Sequence, residues 1–146
     1  FSNQNSTTDF KLLYNKYDST HFFGVGIGKG ATEQLAIKIG KAKALGELAS
    51  TIKVTVMSRI EMISNSQESD LSYSFNETLK QQIISIGNAT VRSPEYEILN
   101  LNKVKGSFEA EVLAKKNKKD HFLAAARDLE LDGGDELFNM IINKGD

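Results

Sequence analysis

The sequence contains no cysteine and no tryptophan, one proline and only two histidines in 146 residues. Without cysteine there is no thiol nucleophile, no Cys-ligated zinc and no disulfide, and the redox compartment is left undecided. His21 and His121 stand far apart and outside any metal-ligand spacing. No apolar run approaches the length of a membrane span. Neither sign of charge dominates: the formal net charge of -1 gives no bulk attraction to nucleic acid or to an anionic membrane. The first residues, Phe1-Ser2-Asn3-Gln4-Asn5-Ser6-Thr7-Thr8, are polar, neither signal-like nor Met-initiated. Such a start is expected of a mature form whose targeting segment has been removed.

What is present describes an ordinary globular chain. An apolar fraction of 40% and a charged fraction of 25% fit a soluble domain. The length suffices to bury a core without metal or disulfide staples. Residues 1–9 read as a flexible tether and 10–146 as a single α+β domain. Phe10, Leu12, Leu13, Tyr14 and Tyr17 supply a short amphipathic element at its start.

The most informative segment is residues 22–56. Phe22-Phe23-Gly24-Val25-Gly26-Ile27-Gly28 is a strand with glycine at every second position, so one face is stripped of side chains and something can lie very close to it. An alanine-rich helix follows from about Thr32, a plausible N-cap, to Ile52. Leu35, Ile39, Ala42, Leu45, Ala49 and Ile52 trace its apolar stripe, with Lys38, Lys41, Lys43 and Glu47 off it. Val54, Val56, Ile60 and Met62 then alternate with Thr55, Arg59 and Glu61, the pattern of a second strand. A polar loop from Ser64 to Asp70 leads to a helix over Leu71–Ile86, closed by Gly87 as a C-cap glycine. A strand over Ala89–Leu101 contains Pro94, which argues for an edge or a bulge. Asn102-Lys103 serves as the hairpin turn into a return strand, Val104–Ala114, whose Val104, Gly106, Phe108, Ala110 and Val112 share one face. A helix near Asp120–Leu129, a Gly133-Gly134 break and an amphipathic tail with Leu137, Phe138, Ile141 and Ile142 complete the chain. The order β-α-β-α-β-β-α implies a two-layer α+β sandwich: a mostly antiparallel four-stranded sheet packed by the alanine-rich helix.

Each candidate chemistry competes with a plainer reading. Gly26-Ile27-Gly28-Lys29-Gly30-Ala31 satisfies a dinucleotide fingerprint and opens a helix, whose N-terminus attracts phosphate. Yet no acidic residue ends the next strand, and the repeated βαβ units that build the crevice are missing. The glycines begin at Gly24 and share one face, so packing against a helix explains them better. No nucleophile elbow accompanies His21 or His121; both read as surface or capping residues. Glu109 and Glu111 share a strand face expected in solvent. Lys115-Lys116-Asn117-Lys118-Lys119 reads as a solvated loop rather than an anion site, because no aromatic residues interleave it. Asp132-Gly133-Gly134-Asp135-Glu136 lacks the EF-hand register. Asn5-Ser6-Thr7, Asn76-Glu77-Thr78 and Asn88-Ala89-Thr90 match the glycosylation sequon, a common triplet. The sequence thus assigns no catalytic, cofactor-binding or metal-ligating residue.

The glycine strand, the helix with Ala36, Ala42, Ala44, Leu48, Ala49 and Ile52, the Val54-x-Val56 segment and the closing run Gly106–Ala114 together resemble the Lpp-twenty family of bacterial envelope lipoproteins. That family is related to a domain of the flagellar assembly protein FlgT. The resemblance covers about residues 22–115. It implies a compact dodecin-like domain with no catalytic residues and no cofactor, tethered to the outer membrane by a lipidated cysteine that this sequence does not contain. The implied function is a structural or protein-interaction role in the cell envelope, outer-membrane-anchored or periplasmic. Envelope proteins or cell-surface components are the expected partners, with homo-oligomers possible, no nucleic acid, and membrane contact only through the anchor. The alternative is a small-ligand-binding domain using the glycine strand or the sheet face.

Overall fold

The computed structural model describes residues 19–65 and 76–143. The elements run β1 (His21–Gly30), α1 (Glu33–Ser64), α2 (Glu77–Gly87), β2 (Glu95–Val104), β3 (Ser107–Asn117), α3 (Lys118–Asp128) and α4 (Gly134–Phe138), followed by a π-helical turn at Asn139–Asn143. The fold is α+β, with a sheet that has, among the described residues, three antiparallel strands in the order β1-β3-β2 rather than the expected four. The element order β-α-α-β-β-α-α replaces the expected β-α-β-α-β-β-α. The amphipathic element expected at residues 10–17 and the tether before it lie outside the described residues.

The missing strand is the second half of α1. Residues Lys53 to Met62 belong to one helix of 32 residues that starts at Glu33. Nothing in the stretch Lys53–Met62 breaks a helix, since it contains neither glycine nor proline. The residues that read as one alternating face do not share one: Val56 and Ile60 are buried, whereas Val54 and Met62 are 64% and 58% exposed. The buried row is Ala36, Gly40, Ala44, Leu48, Ile52, Val56 and Ile60, a step of four throughout, then Ile63. This row also displaces the expected stripe, because Leu35, Ala42 and Ala49 are exposed. Thr32 caps the helix as expected: its Oγ1 accepts from the Leu35 N–H at 3.1 Å.

The described residues fall into two compact units. The first comprises the described part of Phe1–Thr51 and the segment Ser93–Asn117, that is, the sheet and the beginning of α1. β1 pairs with β3 without interruption, from His21 opposite Asn117 to Gly30 opposite Phe108. β2 pairs with β3 with a register shift between Ile98 and Asn100. Pro94 stands just ahead of β2, not inside it, so it removes no ladder hydrogen bond. The hairpin turn is Lys105-Gly106, not Asn102-Lys103. Both turn residues have positive φ, 51° and 82°, the signature of a type I′ turn whose twist matches the flanking strands.

The second unit comprises Ile52–Arg92 and Lys118–Asp146. Asn76 caps α2, accepting from the Leu79 N–H at 2.8 Å. The expected start at Leu71 is thus moved to Glu77, and Leu71–Phe75 lie outside the described residues. Gly87 is not a C-cap but the last helical residue, buried so closely that a methyl group there would stand 3.0 Å from the Val56 side chain. α3 ends in a Schellman motif: the Leu131 N–H donates to Ala126 O and the Glu130 N–H to Arg127 O, with Glu130 at φ 57°. The Gly133-Gly134 break holds, with Gly133 left-handed ahead of α4. Leu137, Phe138, Ile141 and Ile142 are buried, as their spacing predicts.

Candidate functional site

The glycine strand shows what lies against its bare face. A methyl group built on Gly24 would stand 2.3 Å from Leu48 N. One on Gly26 would stand 2.3 Å from Ala44 N, and one on Gly28 would meet the carbonyl oxygen of Ala36. The obstacles are helix backbone, so α1 occupies the face that a pyrophosphate would need. Cross-strand, the same three glycines pair with Ala114, Val112 and Ala110, all buried, and a methyl group on Gly40 of α1 would meet Val112 Cγ2 at 2.7 Å, Ala110 O at 3.3 Å and Gly28 N at 3.4 Å. Small residues on both layers bring the two backbones together, which is what alternate glycines permit.

The lysine cluster is not a loop. Lys115, Lys116 and Asn117 are the end of β3, and Lys118 and Lys119 open α3 directly. Lys115 is only 6% exposed, and its Nζ donates to Glu97 Oε1 at 2.7 Å. The cluster is divided between two elements, with one member consumed inside the sheet unit. Lys119 approaches Asp135 at 3.9 Å, an exposed pair worth little.

His121 is a core residue, not a surface or capping one. It is 1% exposed, its Nε2 lies 3.0 Å from Ile86 O, and its ring meets Phe122 edge-on. A carbonyl oxygen only accepts, so Nε2 carries the proton. This histidine ties α3 to the end of α2. His21 begins β1, half-buried, with Nδ1 2.7 Å from Thr20 Oγ1. The two imidazoles belong to different units.

Glu109 and Glu111 share the sheet face opposite α1, as the alternation predicts, but neither is fully in solvent. Glu109 pairs with Lys29 at 3.7 Å. Glu111 Oε1 is buried without a hydrogen-bond partner among the described residues. No group of three or more His, Cys, Asp or Glu converges to hold a metal among the described residues. Asp128 instead accepts from Arg92 Nε at 2.8 Å. No helix is long and apolar enough to cross a membrane among the described residues. Of the sequons, Asn76 spends its side chain as the α2 cap, Asn88 is exposed at the end of α2, and Asn5 lies outside the described residues.

The second unit carries an open groove of about 450 Å³ between Glu77, Thr78, Gln81, Gln82 and Ser85 of α2 and Leu129 and Leu131 beyond α3. Its polar walls are partly self-satisfied: Gln81 Nε2 donates to Glu77 Oε1, and Ser85 Oγ to Gln81 O. Sequence reasoning passed over this groove because Gln, Thr and Ser on an exposed helix face carry no distinctive spacing. Compared with known proteins, the chain matches no family model, no curated protein and no solved structure.

Proposed function

We propose that this chain is a non-enzymatic domain of a bacterial cell-envelope lipoprotein, with a structural or protein-interaction role. The observation that carries the reading is the closed glycine face. Gly24, Gly26 and Gly28 serve the contact between β1 and α1, and the fingerprint that most resembled a cofactor site is filled by the protein's own helix. The address in the envelope rests on the resemblance of this strand–helix pair to the Lpp-twenty family. A mature domain of this kind acts through its surface, with envelope proteins or cell-surface components as partners.

The test uses the full-length gene product in a Gram-negative host. Metabolic labelling with an alkyne fatty acid should mark the protein, and fractionation should place it with the outer membrane. Inhibition of lipoprotein signal peptidase should shift it to the precursor form. An unlabelled product in the cytosolic fraction sinks the reading.

One observation favours the alternative, a small-ligand site on the sheet. One Glu111 carboxylate oxygen, buried and without a hydrogen-bond partner among the described residues, is an acceptor suited to an amine or hydroxyl ligand. Amide chemical-shift perturbation around Glu111 and Asn100 by amines or polyols supports it, and an unperturbed spectrum removes it.

A further inference from the structure

The groove on the second unit has two walls of different chemistry. Along α2 two rows of polar side chains line it, Glu77, Gln81 and Ser85 in one and Thr78 and Gln82 in the other. Each step of four residues in such a row rises about 6 Å along the helix. The facing wall is aliphatic: Leu129, 40% exposed, and Leu131, two residues apart where the chain leaves α3. The polar wall has hydrogen-bonding capacity to spare. Gln81 Nε2 donates to Glu77 Oε1 and Ser85 Oγ to Gln81 O, yet Thr78 and Gln82 make no side-chain hydrogen bond among the described residues. The charge is of one sign. Glu77 is the charged lining residue, no lysine or arginine lines the groove among the described residues, and the exposed Glu130 and Asp132 flank Leu131.

We propose that this groove binds an extended peptide segment of a partner protein, basic where it meets Glu77 and aliphatic where it meets Leu129 and Leu131. Charge, spacing and apolar surface select that occupant. An acidic groove that holds no cation of its own suits a lysine or arginine side chain and disfavours an acidic partner. An extended chain repeats every two residues, about 6.6 Å, close to the rise of about 6 Å within one row of α2. Alternate main-chain amides can therefore reach Thr78 and Gln82 in turn, and the uncommitted Gln82 carboxamide offers a peptide group both a donor and an acceptor. From Glu77 to Ser85 the wall runs about 12 Å, the length of about four extended residues. The leucine wall covers aliphatic side chains, whereas no aromatic platform for a sugar ring lines the groove among the described residues. This site rests on the protein-interaction reading but not on the envelope address, so lipidation and peptide binding fail separately.

Amide NMR titration of the whole isotope-labelled chain tests this. The probe is the peptide acetyl-Lys-Leu-Ser-Leu-Ser-amide, with a twin that carries Glu in place of Lys. The basic peptide should give saturable shifts confined to residues 77–85 and 129–132, with a Kd of about 1 mM or tighter. The acidic twin should bind at least about fivefold more weakly. Glu77→Gln and Gln82→Ala, neither in the core, should each weaken the basic peptide by about threefold or more with an unchanged melting temperature. Glu33→Gln, the equivalent first-turn acid of α1, should leave its Kd unchanged and so controls for bulk charge. No saturable shift up to about 10 mM peptide, equal binding of the twin, wild-type affinity in Glu77→Gln or Gln82→Ala, or an equal loss in Glu33→Gln overturns the proposal. Shifts of the same amides by chitobiose but not by the peptide also overturn it, and make the groove a saccharide site instead.

Discussion

Gly26→Ala adds one methyl group at the contact on which the first unit depends. The new carbon would stand 2.3 Å from Ala44 N, 2.7 Å from Gly40 O and 2.7 Å from the Lys43 carbonyl carbon. Optimal contacts between heavy atoms run about 3.5–4.0 Å, so α1 must withdraw by more than about 1 Å. All three obstacles are backbone, and no rotamer change relieves them. Withdrawal also opens a gap beneath Ala36, Gly40, Ala44 and Leu48, which are buried. Overpacking costs about 1–3 kcal/mol, and rigid backbone on both sides puts this site at about 3 kcal/mol. That is a large share of a typical stability of about 5–15 kcal/mol. It should lower Tm by roughly 10 °C. Gly46 provides the control within the same helix, since a methyl group there meets nothing within 4 Å. Gly46→Ala should instead gain about 0.5–1 kcal/mol from helix propensity. Calorimetric melts of the three proteins decide the matter. A Gly26→Ala variant that melts with the wild type, or a Gly46→Ala variant that loses as much as Gly26→Ala, refutes the reasoning.

Other sites give independent predictions. Glu97→Gln removes a carboxylate from the buried Lys115 ammonium and should cost about 1–2 kcal/mol in urea denaturation, more than Lys115→Met, which removes the charge itself. His121→Ala opens a cavity and strips Ile86 O of a donor; a loss of about 2–4 kcal/mol is expected, and long-range nitrogen–proton NMR on the wild type should show the proton on Nε2. Glu130 occupies a left-handed Schellman position, so Glu130→Gly should stabilise the protein by about 1 kcal/mol, read as a rise in the urea midpoint.

The first strand, its capped helix, the hairpin and the apolar tail were legible because each carries a strong local signal: alternate glycines, Thr32, strand alternation, and Leu137 through Ile142. The second half of α1 was not. A step of four residues advances about 40° around a helix axis, so the buried row from Ala36 to Ile60 winds instead of keeping one face. Where the chain turned into β-branched residues at Ile52, Val54 and Val56, local propensity favoured a strand, and the lack of any breaker was the signal to weigh. The hairpin turn was misplaced by three residues because Gly106 fell into an apparent strand alternation. Its requirement for positive φ was the better clue. Lys115 and His121 were assigned to the surface on composition, since burial of a lysine or a histidine is decided by partners such as Glu97 and Ile86 O that are distant in sequence. The groove on α2 carries no sequence motif at all.

The central claim is that the glycine face of β1 is closed by α1 and unavailable to a ligand. Nuclear Overhauser spectroscopy on isotope-labelled protein measures this directly. The account predicts strong cross-peaks from the Gly26 Hα protons to the Ala44 amide and from the Gly28 Hα protons to Gly40. It also predicts that a soluble paramagnetic probe leaves those glycines unbroadened. Absent cross-peaks together with broadening of Gly24, Gly26 and Gly28 would show an open glycine face and contradict it.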